Sequence, residues 1–369
     1  MKKILFFIPN LSVGGAEKVL VNLINNMDRA KFDITVQTLF GGGVNEQFLK
    51  KDITYRSCFK KTFKGNSQIL KLFQPKTLYN RFIKEHYDII VSYLEGPTAR
   101  IVAGCPNQAT KKICWIHIQL ETEEAFSYAF KSYEEAKECY HQFDIIICVS
   151  QYVQSDFLKL SHYTGETEVL YNTNETDDII RLSNEPLETP MDEDSFKLCV
   201  VGKLKKNKGI ERLMHIHKRL NESGLRVHFY FLGKGVMDEF IAEYDAANGL
   251  TDRTTLLGYQ TNPYRFIKNC DLLVCGSYAE GFSTAATEAL IVGTPVCTVE
   301  VSGMKEMLGE HNEYGVVTEN SEDGLYEEIR TLLENPERLA HYRRQAEIRG
   351  KDFSTENTVR AVEEMLMAL

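Results

Sequence analysis

Strand-sized apolar runs and longer amphipathic stretches take turns along this chain. Residues 3–8 form an apolar run that closes at Pro9-Asn10. After the glycine-bearing loop at 9–17, Val19, Leu20, Leu23, Ile24 and Met27 recur at spacings of three and four, the period of a helix face. Residues 32–39 alternate as a strand before the turn Gly41-Gly42-Gly43. Strand, loop, helix and strand in that order make a βαβ unit, which implies a parallel sheet. The same rhythm predicts strands at 88–93, 111–116, 144–150 and 168–171. Helical patterns separate them at 98–103, 121–140 and 151–160.

Residues 172–195 interrupt the rhythm. They carry Glu175, Asp177, Asp178, Glu185, Glu188, Asp192, Glu193 and Asp194 against a single basic residue, Arg181, and they contain Pro186 and Pro190. Such a stretch reads as a connection between domains. A second α/β rhythm follows, with strands at 196–201, 226–232, 254–257, 271–275 and 295–299. Helices are expected at 210–221, 236–247, 264–269 and 284–292, and two more near 324–334 and 355–368. The pattern predicts two Rossmann-like, doubly wound parallel-sheet domains. Residues 1–175 form the first, 176–195 the acidic connection and 196–350 the second. Residues 351–369 are expected to be a C-terminal helix packing back towards the first domain.

Length and composition fit this picture. A chain of 369 residues with 43% hydrophobic and 26% charged positions is an ordinary globular one, long enough for two cores. No apolar run approaches the roughly 18 residues of a spanning helix. The opening run is too short for a signal-peptide core, so a cytoplasmic protein is expected. Nine cysteines, an odd number with no C-x-x-C pair, read as reduced core residues. A net charge of −9 argues against nucleic acid as a partner. The charge is uneven, however. Between Lys50 and His86, ten lysines and arginines face only Asp52 and Glu85, which leaves +8 there and −17 on the rest.

In open α/β sheets ligands bind beyond the carboxyl ends of the strands, so the residues that follow each strand are the candidates. After the strand ending at Cys275 come Gly276 to Thr284. Ser283 suits a helix N-cap, and Gly281 permits close approach of backbone to a ligand. A helix start there offers N–H groups and a positive dipole end to a diphosphate. Glu280 and Glu288, eight positions apart, suit sugar hydroxyls on either side of the phosphates; the alternative is a capped helix with two solvated acids. After Val201 come Gly202-Lys203-Leu204-Lys205-Lys206-Asn207-Lys208-Gly209. Alone this is a solvated loop; opposite the acidic loop it becomes a cation clamp for a diphosphate. No Asp-x-Asp motif stands at a strand end, so no metal or other cofactor is expected. Gly14-Gly15 falls short of the G-x-G-x-x-G fingerprint of nicotinamide sites. His117 ends a strand, where a structural and a functional role are both open.

Together these residues resemble the retaining, GT-B fold glycosyltransferases of family 4, the "glycosyl transferases group 1". Glu280-Gly281-Phe282-Ser283 through Glu288-Ala289-Leu290, then Gly293-Thr294-Pro295, is similar to that family's E-x7-E signature. Gly202-Lys203-Leu204 with Lys208-Gly209 resembles its G-R-L…K-G motif, and Gly14-Gly15-Ala16-Glu17 its N-terminal glycine loop. Residues 301–306 and 312–315 look like the branch that builds bacterial capsular and other surface polysaccharides. The resemblance implies two domains facing across a cleft and closing on a nucleotide-sugar donor. It implies Glu280 on the donor sugar, Glu288 on the ribose and Lys203 and Lys208 on the diphosphate. Backbone N–H groups at Phe282, Ser283 and Thr284 would also hold phosphate, with Gly14, Gly15, Gly202 and Gly281 lining the pocket. His117 would sit by the donor sugar at the reacting centre. Lys203 departs from the family's arginine, keeping the charge and losing the bidentate fork.

The implied reaction is same-face transfer of a hexose-type sugar, UDP-linked by the family's habit, to a glycan or lipid-linked oligosaccharide acceptor. The basic stretch at 50–86 interleaves Tyr55, Phe59, Phe63, Phe73, Tyr79 and Phe82. It reads either as a solvated face over core aromatics or as an acceptor surface facing an anionic membrane, where each cation contributes about 1 kcal/mol. The competing functions are a nucleotide-sugar 2-epimerase and a non-catalytic partner subunit on the same fold. A nicotinamide dehydrogenase is disfavoured by the missing fingerprint.

Overall fold

In a computed structural model, which describes residues 1–12, 14–63, 65–120, 122–278, 282–301 and 303–369, the first apolar run becomes an inner strand of a parallel sheet. Among the described residues this sheet has seven strands: β1 (Lys2–Ile8), β2 (Phe32–Phe40), β3 (Thr54–Phe59), β4 (Ile89–Ser92), β5 (Lys111–Ile116), β6 (Ile145–Cys148) and β7 (Glu166–Val169). Their order is β3-β2-β1-β4-β5-β6-β7. The inner strands are buried along almost their whole length, as expected where helices cover both faces of a parallel sheet. That cover also corrects the alternation expected for β2, in which only Asp33 is exposed.

Two further expectations change. The edge strand β3 escaped notice because its sequence, Thr-Tyr-Arg-Ser-Cys-Phe, is half polar and none of it is fully buried. The single helix expected over 121–140 is two helices, Glu123–Ser127 and Tyr133–Tyr140. Ser132 starts the second by accepting from the Glu135 N–H at 3.2 Å.

Thr355–Leu369 clusters with Met1–Asn174 as one compact unit. The helix Thr355–Ala368 is tied there by polar contacts. The Glu363 carboxylate accepts from the Asp28 N–H (2.6 Å) and from Lys31 Nζ (2.7 Å), and Lys2 Nζ donates to the Leu366 carbonyl (3.0 Å).

The second unit is Glu175–Ser354. The acidic stretch belongs to it and holds a helix, Thr176–Ser183, with Asn262 donating to the Leu182 carbonyl at 2.9 Å. Six described strands follow: β8 (Phe196–Val201), β9 (Val227–Leu232), β10 (Thr254–Gly258), β11 (Leu272–Cys275), β12 (Val296–Val299) and β13 (Val316–Thr318). They pair in parallel in the order β10-β9-β8-β11-β12-β13. Leu198, Phe229, Phe231, Leu272 and Val274 form the sheet side of a core closed by Leu213, Ile216, Ile329 and Leu332 from helices. The three-residue β13 and the helix Pro336–Gly350 were not expected. Yet Pro336 at the first helical turn, with Asn335 accepting from the Arg338 N–H at 3.0 Å, is a recognisable start signal.

All nine cysteines are free, and seven are buried. Among the described residues no helix is long and apolar enough to cross a membrane. In each sheet the strand order reverses once, between β1 and β4 and between β8 and β11. The carboxyl ends beside those two reversals are where a ligand crevice is expected.

Candidate active site

At the reversal in the second unit, the lysine loop after β8 is held on both sides by backbone. Gly209 has φ +68°, and a Cβ there would lie 1.9 Å from the Gly276 carbonyl oxygen in the loop after β11. The Tyr278 N–H donates to the Asn207 carbonyl at 2.9 Å across the same junction. On the other side Gly233, with φ +149°, presses against the Gly202 carbonyl, where a Cβ would sit 1.8 Å away. Leu204 N–H donates to the Lys234 carbonyl (3.2 Å), and its own carbonyl accepts from the Met237 N–H (3.1 Å). Only glycine fits at these positions, because both the backbone conformation and the close approach exclude a side chain. The loop is therefore fixed while its lysines stay accessible: Lys203 is exposed and Lys208 half-buried.

The helix Thr284–Ile291 begins beyond the β11 loop. Ser283 caps it, its hydroxyl accepting from the Ala286 N–H at 3.3 Å. Phe282 is buried and meets the Phe353 ring at 6.0 Å, which seats the helix start on the unit's own core. Glu288, one turn further on, is 8% exposed, and the Tyr264 hydroxyl donates to its Oε1 at 3.3 Å. Glu280 and Gly281 lie outside the described residues. Beside this loop the buried Arg212 stacks 4.0 Å from the Tyr278 ring and donates to Asn320 Oδ1 at 2.7 Å. Accessible lysines and a capped helix start on adjacent strand ends have the chemistry to meet an anion, and the buried carboxylate of Glu288 can accept hydrogen bonds from hydroxyls.

The first unit builds its edge differently. Gly14 and Gly15 open the helix Gly15–Asn26 after β1, with Gly14 in extended conformation. His117 follows β5 and is 8% exposed. Its ring lies 4.8 Å from Tyr93 and 6.4 Å from Trp115. Its backbone N–H donates to Glu95 Oε2 at 2.9 Å. Burial pushes the His117 imidazole down to about 3, so it is neutral near pH 7, and its buried Nε2 has no hydrogen-bond partner among the described residues. Burial pushes the Glu95 carboxyl up to about 7, against the opposing effect of the N–H groups of His117 and Glu95 itself. A neutral imidazole with one open nitrogen can exchange a hydrogen bond with a hydroxyl without adding charge.

Each described candidate thus stands at a strand's carboxyl end or on the helix that follows it. Lys203, Lys208 and Gly202 share one braced loop. Phe282, Ser283, Thr284 and Glu288 share one helix and its entry. His117 belongs to the first unit, as do Gly14 and Gly15. Glu95, Arg212 and the brace at Gly233 went unnoticed in the sequence. For Glu95 a signal existed, since it lies in the short loop between the strand Ile89–Ser92 and a helix that starts at Pro97.

Comparison with known proteins places the chain among glycosyltransferases. The family model described as "Glycosyl transferases group 1" matches residues 184–349, and the one described as "Glycosyltransferase Family 4" matches residues 13–178. A Campylobacter jejuni protein is 26% identical over 362 residues, 96% of each chain. It is named N-acetylgalactosamine-N,N'-diacetylbacillosaminyl-diphospho-undecaprenol 4-alpha-N-acetylgalactosaminyltransferase. The capsular polysaccharide biosynthesis glycosyltransferase CapM of Staphylococcus aureus is 27% identical over 38% of this chain and 37% of its own. Among solved structures, Anabaena HepE in complex with UDP superimposes with a TM-score of 0.77 at 21% identity, covering all of both chains.

Proposed function

This chain belongs to glycosyltransferase family 4 and has its GT-B fold, and we propose that it moves a hexose-type sugar from a UDP-sugar to a lipid-linked glycan during bacterial surface polysaccharide synthesis, with retention at the anomeric carbon. The observation that carries the donor half is the braced lysine loop beside the capped helix Thr284–Ile291 at one strand reversal. Lys203, Lys208 and the N–H groups at 282–284 take the diphosphate, Glu288 the ribose hydroxyls and Glu280 the donor sugar. His117 hydrogen-bonds a hydroxyl at the reacting centre, and Gly14 and Gly15 allow backbone to approach the donor.

The chemistry follows from these groups. As the glycosidic bond to the leaving diphosphate lengthens, negative charge grows on that phosphate, and fixed cations stabilise it best because they need not reorganise. The leaving phosphate oxygen takes the proton of the acceptor hydroxyl as it attacks from the same face. No resident metal is assigned a role, since the lysines supply the charge. The acceptor class is supported by the Campylobacter relative, named for a diphospho-undecaprenol substrate, and the uridine nucleotide by the UDP complex of HepE. An acceptor of that kind places the enzyme at the cytoplasmic face of the membrane, held peripherally through residues 50–86.

A thermal-shift screen against UDP, GDP, ADP and their sugars, without added metal, tests the donor half. A ligand that binds only the folded state raises the melting temperature by mass action. UDP or a UDP-sugar is expected to shift it selectively, and Glu288→Ala to abolish the shift. Silence with every nucleotide would overturn the assignment in favour of a non-catalytic partner subunit.

A further inference from the structure

The first unit holds a cavity within the basic stretch 50–86, apart from the donor residues assigned above. It has a volume of about 560 Å³ and lies beside the edge strand β3 and the helices Asn66–Leu72 and Pro75–Phe82. That is within the roughly 300–1,000 Å³ of small-ligand sites. Phe59, Phe63, Ile69, Leu70, Phe73 and Phe82 line it. The Phe59 ring packs edge-on against Phe63 at 5.4 Å and Phe82 at 5.5 Å. The apolar surface continues outwards: Leu72 is 76% exposed, Phe73 47%, Ile69 44% and Phe63 37%. Exposed apolar side chains clustered over one short segment mark a binding surface rather than ordinary scatter.

The wall of this cavity is anchored from behind. Arg100, 1% exposed, donates to the Leu70 carbonyl (3.0 Å) and the Phe73 carbonyl (2.8 Å) at the end of the helix Asn66–Leu72. Glu135 holds its guanidinium through two further hydrogen bonds at 2.8 and 3.1 Å. The cavity is thus a built feature of the fold.

Its surroundings are cationic and largely unneutralised. Arg56, Arg81 and Lys84 also line the cavity. Arg56 pairs with Glu85 at 2.6 Å. Arg81, Lys84, Lys60, Lys61, Lys71 and Lys76 have no carboxylate within 4.0 Å among the described residues. An aromatic hollow with Arg81 and Lys84, neither paired with a carboxylate among the described residues, on its lining is complementary to an amphiphile with one apolar chain and a compact anionic head. A free nucleotide or glycan brings no apolar chain to fill it.

We propose that this cavity binds the first isoprenoid units of a polyprenyl diphosphate, with the diphosphate on the Arg81 and Lys84 rim. The inference rests on the lipid-linked acceptor proposed above and adds where the lipid is held. A diphosphate is favoured over a phospholipid because its head concentrates more negative charge opposite Arg81 and Lys84.

Farnesyl diphosphate is a soluble probe of this site. Its binding is measured by calorimetry on the full chain saturated with UDP, which keeps the probe out of the donor site. Farnesyl diphosphate is expected to bind at least tenfold more tightly than either farnesol or inorganic diphosphate. Phe73→Glu and Arg81→Glu, both at exposed side chains, should each weaken it at least tenfold and leave UDP affinity and melting temperature unchanged. Equal binding of inorganic diphosphate, or no loss in Phe73→Glu, would overturn the site. So would binding of phosphatidylglycerol vesicles with none of farnesyl diphosphate, which would mark a bilayer-docking face instead. Transfer to polyprenyl-linked glycans separates the two proposals. Transfer with an unchanged KM in Phe73→Glu sinks the cavity and leaves the function standing. Absence of transfer, with farnesyl diphosphate bound as expected, sinks the function and leaves the cavity.

Discussion

At the carboxyl end of β8 the chain keeps its charge on the surface, whereas at the carboxyl ends of β4 and β5 it buries a carboxyl and a neutral imidazole. Both edges flank a strand reversal of the same kind. Lys203 is exposed on a loop fixed by backbone contacts at Gly209 and Gly233. His117 and Glu95 are 8% and 6% exposed, joined by a 2.9 Å hydrogen bond. In the proposed function an anion is best met by cations that keep their hydration until it arrives, and the second unit braces the loop backbone while Lys203 stays at the surface. In that function a hydroxyl needs a directed hydrogen bond in a dry place, and the first unit buries the His117 ring against Tyr93, which in turn meets Trp115. In the proposed function one topology serves two kinds of recognition, depending on whether backbone or side chain is buried.

The largest test of this contrast is Glu95→Gln, which keeps an acceptor for the His117 N–H and removes the titration. The carboxyl is raised from 4.5 to about 7 in the folded chain. Over that window the unfolded chain has lost the proton and the folded chain still binds it, so stability falls as pH rises. The loss is about 3 kcal/mol for a shift of this size. Neighbouring Cys114, Cys148, Tyr128 and Tyr140 are all pushed up and stay neutral there. Urea unfolding of both proteins at pH 5 and pH 8 should show the Gln variant gaining by up to about that amount at the higher pH. A pH-independent difference would mean that the carboxyl is not buried as described.

His117→Ala comes next. If the imidazole positions a reacting hydroxyl, kcat should drop by about 10²-fold, the usual cost of losing alignment, with UDP affinity unchanged. A weaker UDP affinity with normal kcat would place His117 in nucleotide binding instead. The smallest effect is expected for Gly209→Ala. Its added methyl must move either the lysine loop or the Gly276 carbonyl, and UDP binding should weaken about tenfold while the His117 edge keeps its pH behaviour. Unchanged UDP affinity by calorimetry would show that the brace does not matter for the donor.

Periodicity along the chain determined the βαβ rhythm, the two sheets and the strand ends where the second-unit candidates lie. Lys203, Lys208, Ser283 and Glu288 stood out because a ligand loop in this fold must follow a strand, and strands buried on both faces are legible as apolar runs. The cap at Ser283 depends on neighbours three residues away, so it too could be foreseen. Tertiary structure decided what depends on distant partners. Gly209 meets Gly276 only through strand order, and Glu95 meets His117 only because β4 and β5 are adjacent. The polar edge strand β3 takes its conformation from pairing with β2, and the aromatic side chains of 59–82 form a cavity only once Arg100 holds the wall behind them. Local sequence encodes local conformation and which face is apolar. Burial, and with it the state of a buried acid or imidazole, belongs to the assembled neighbours.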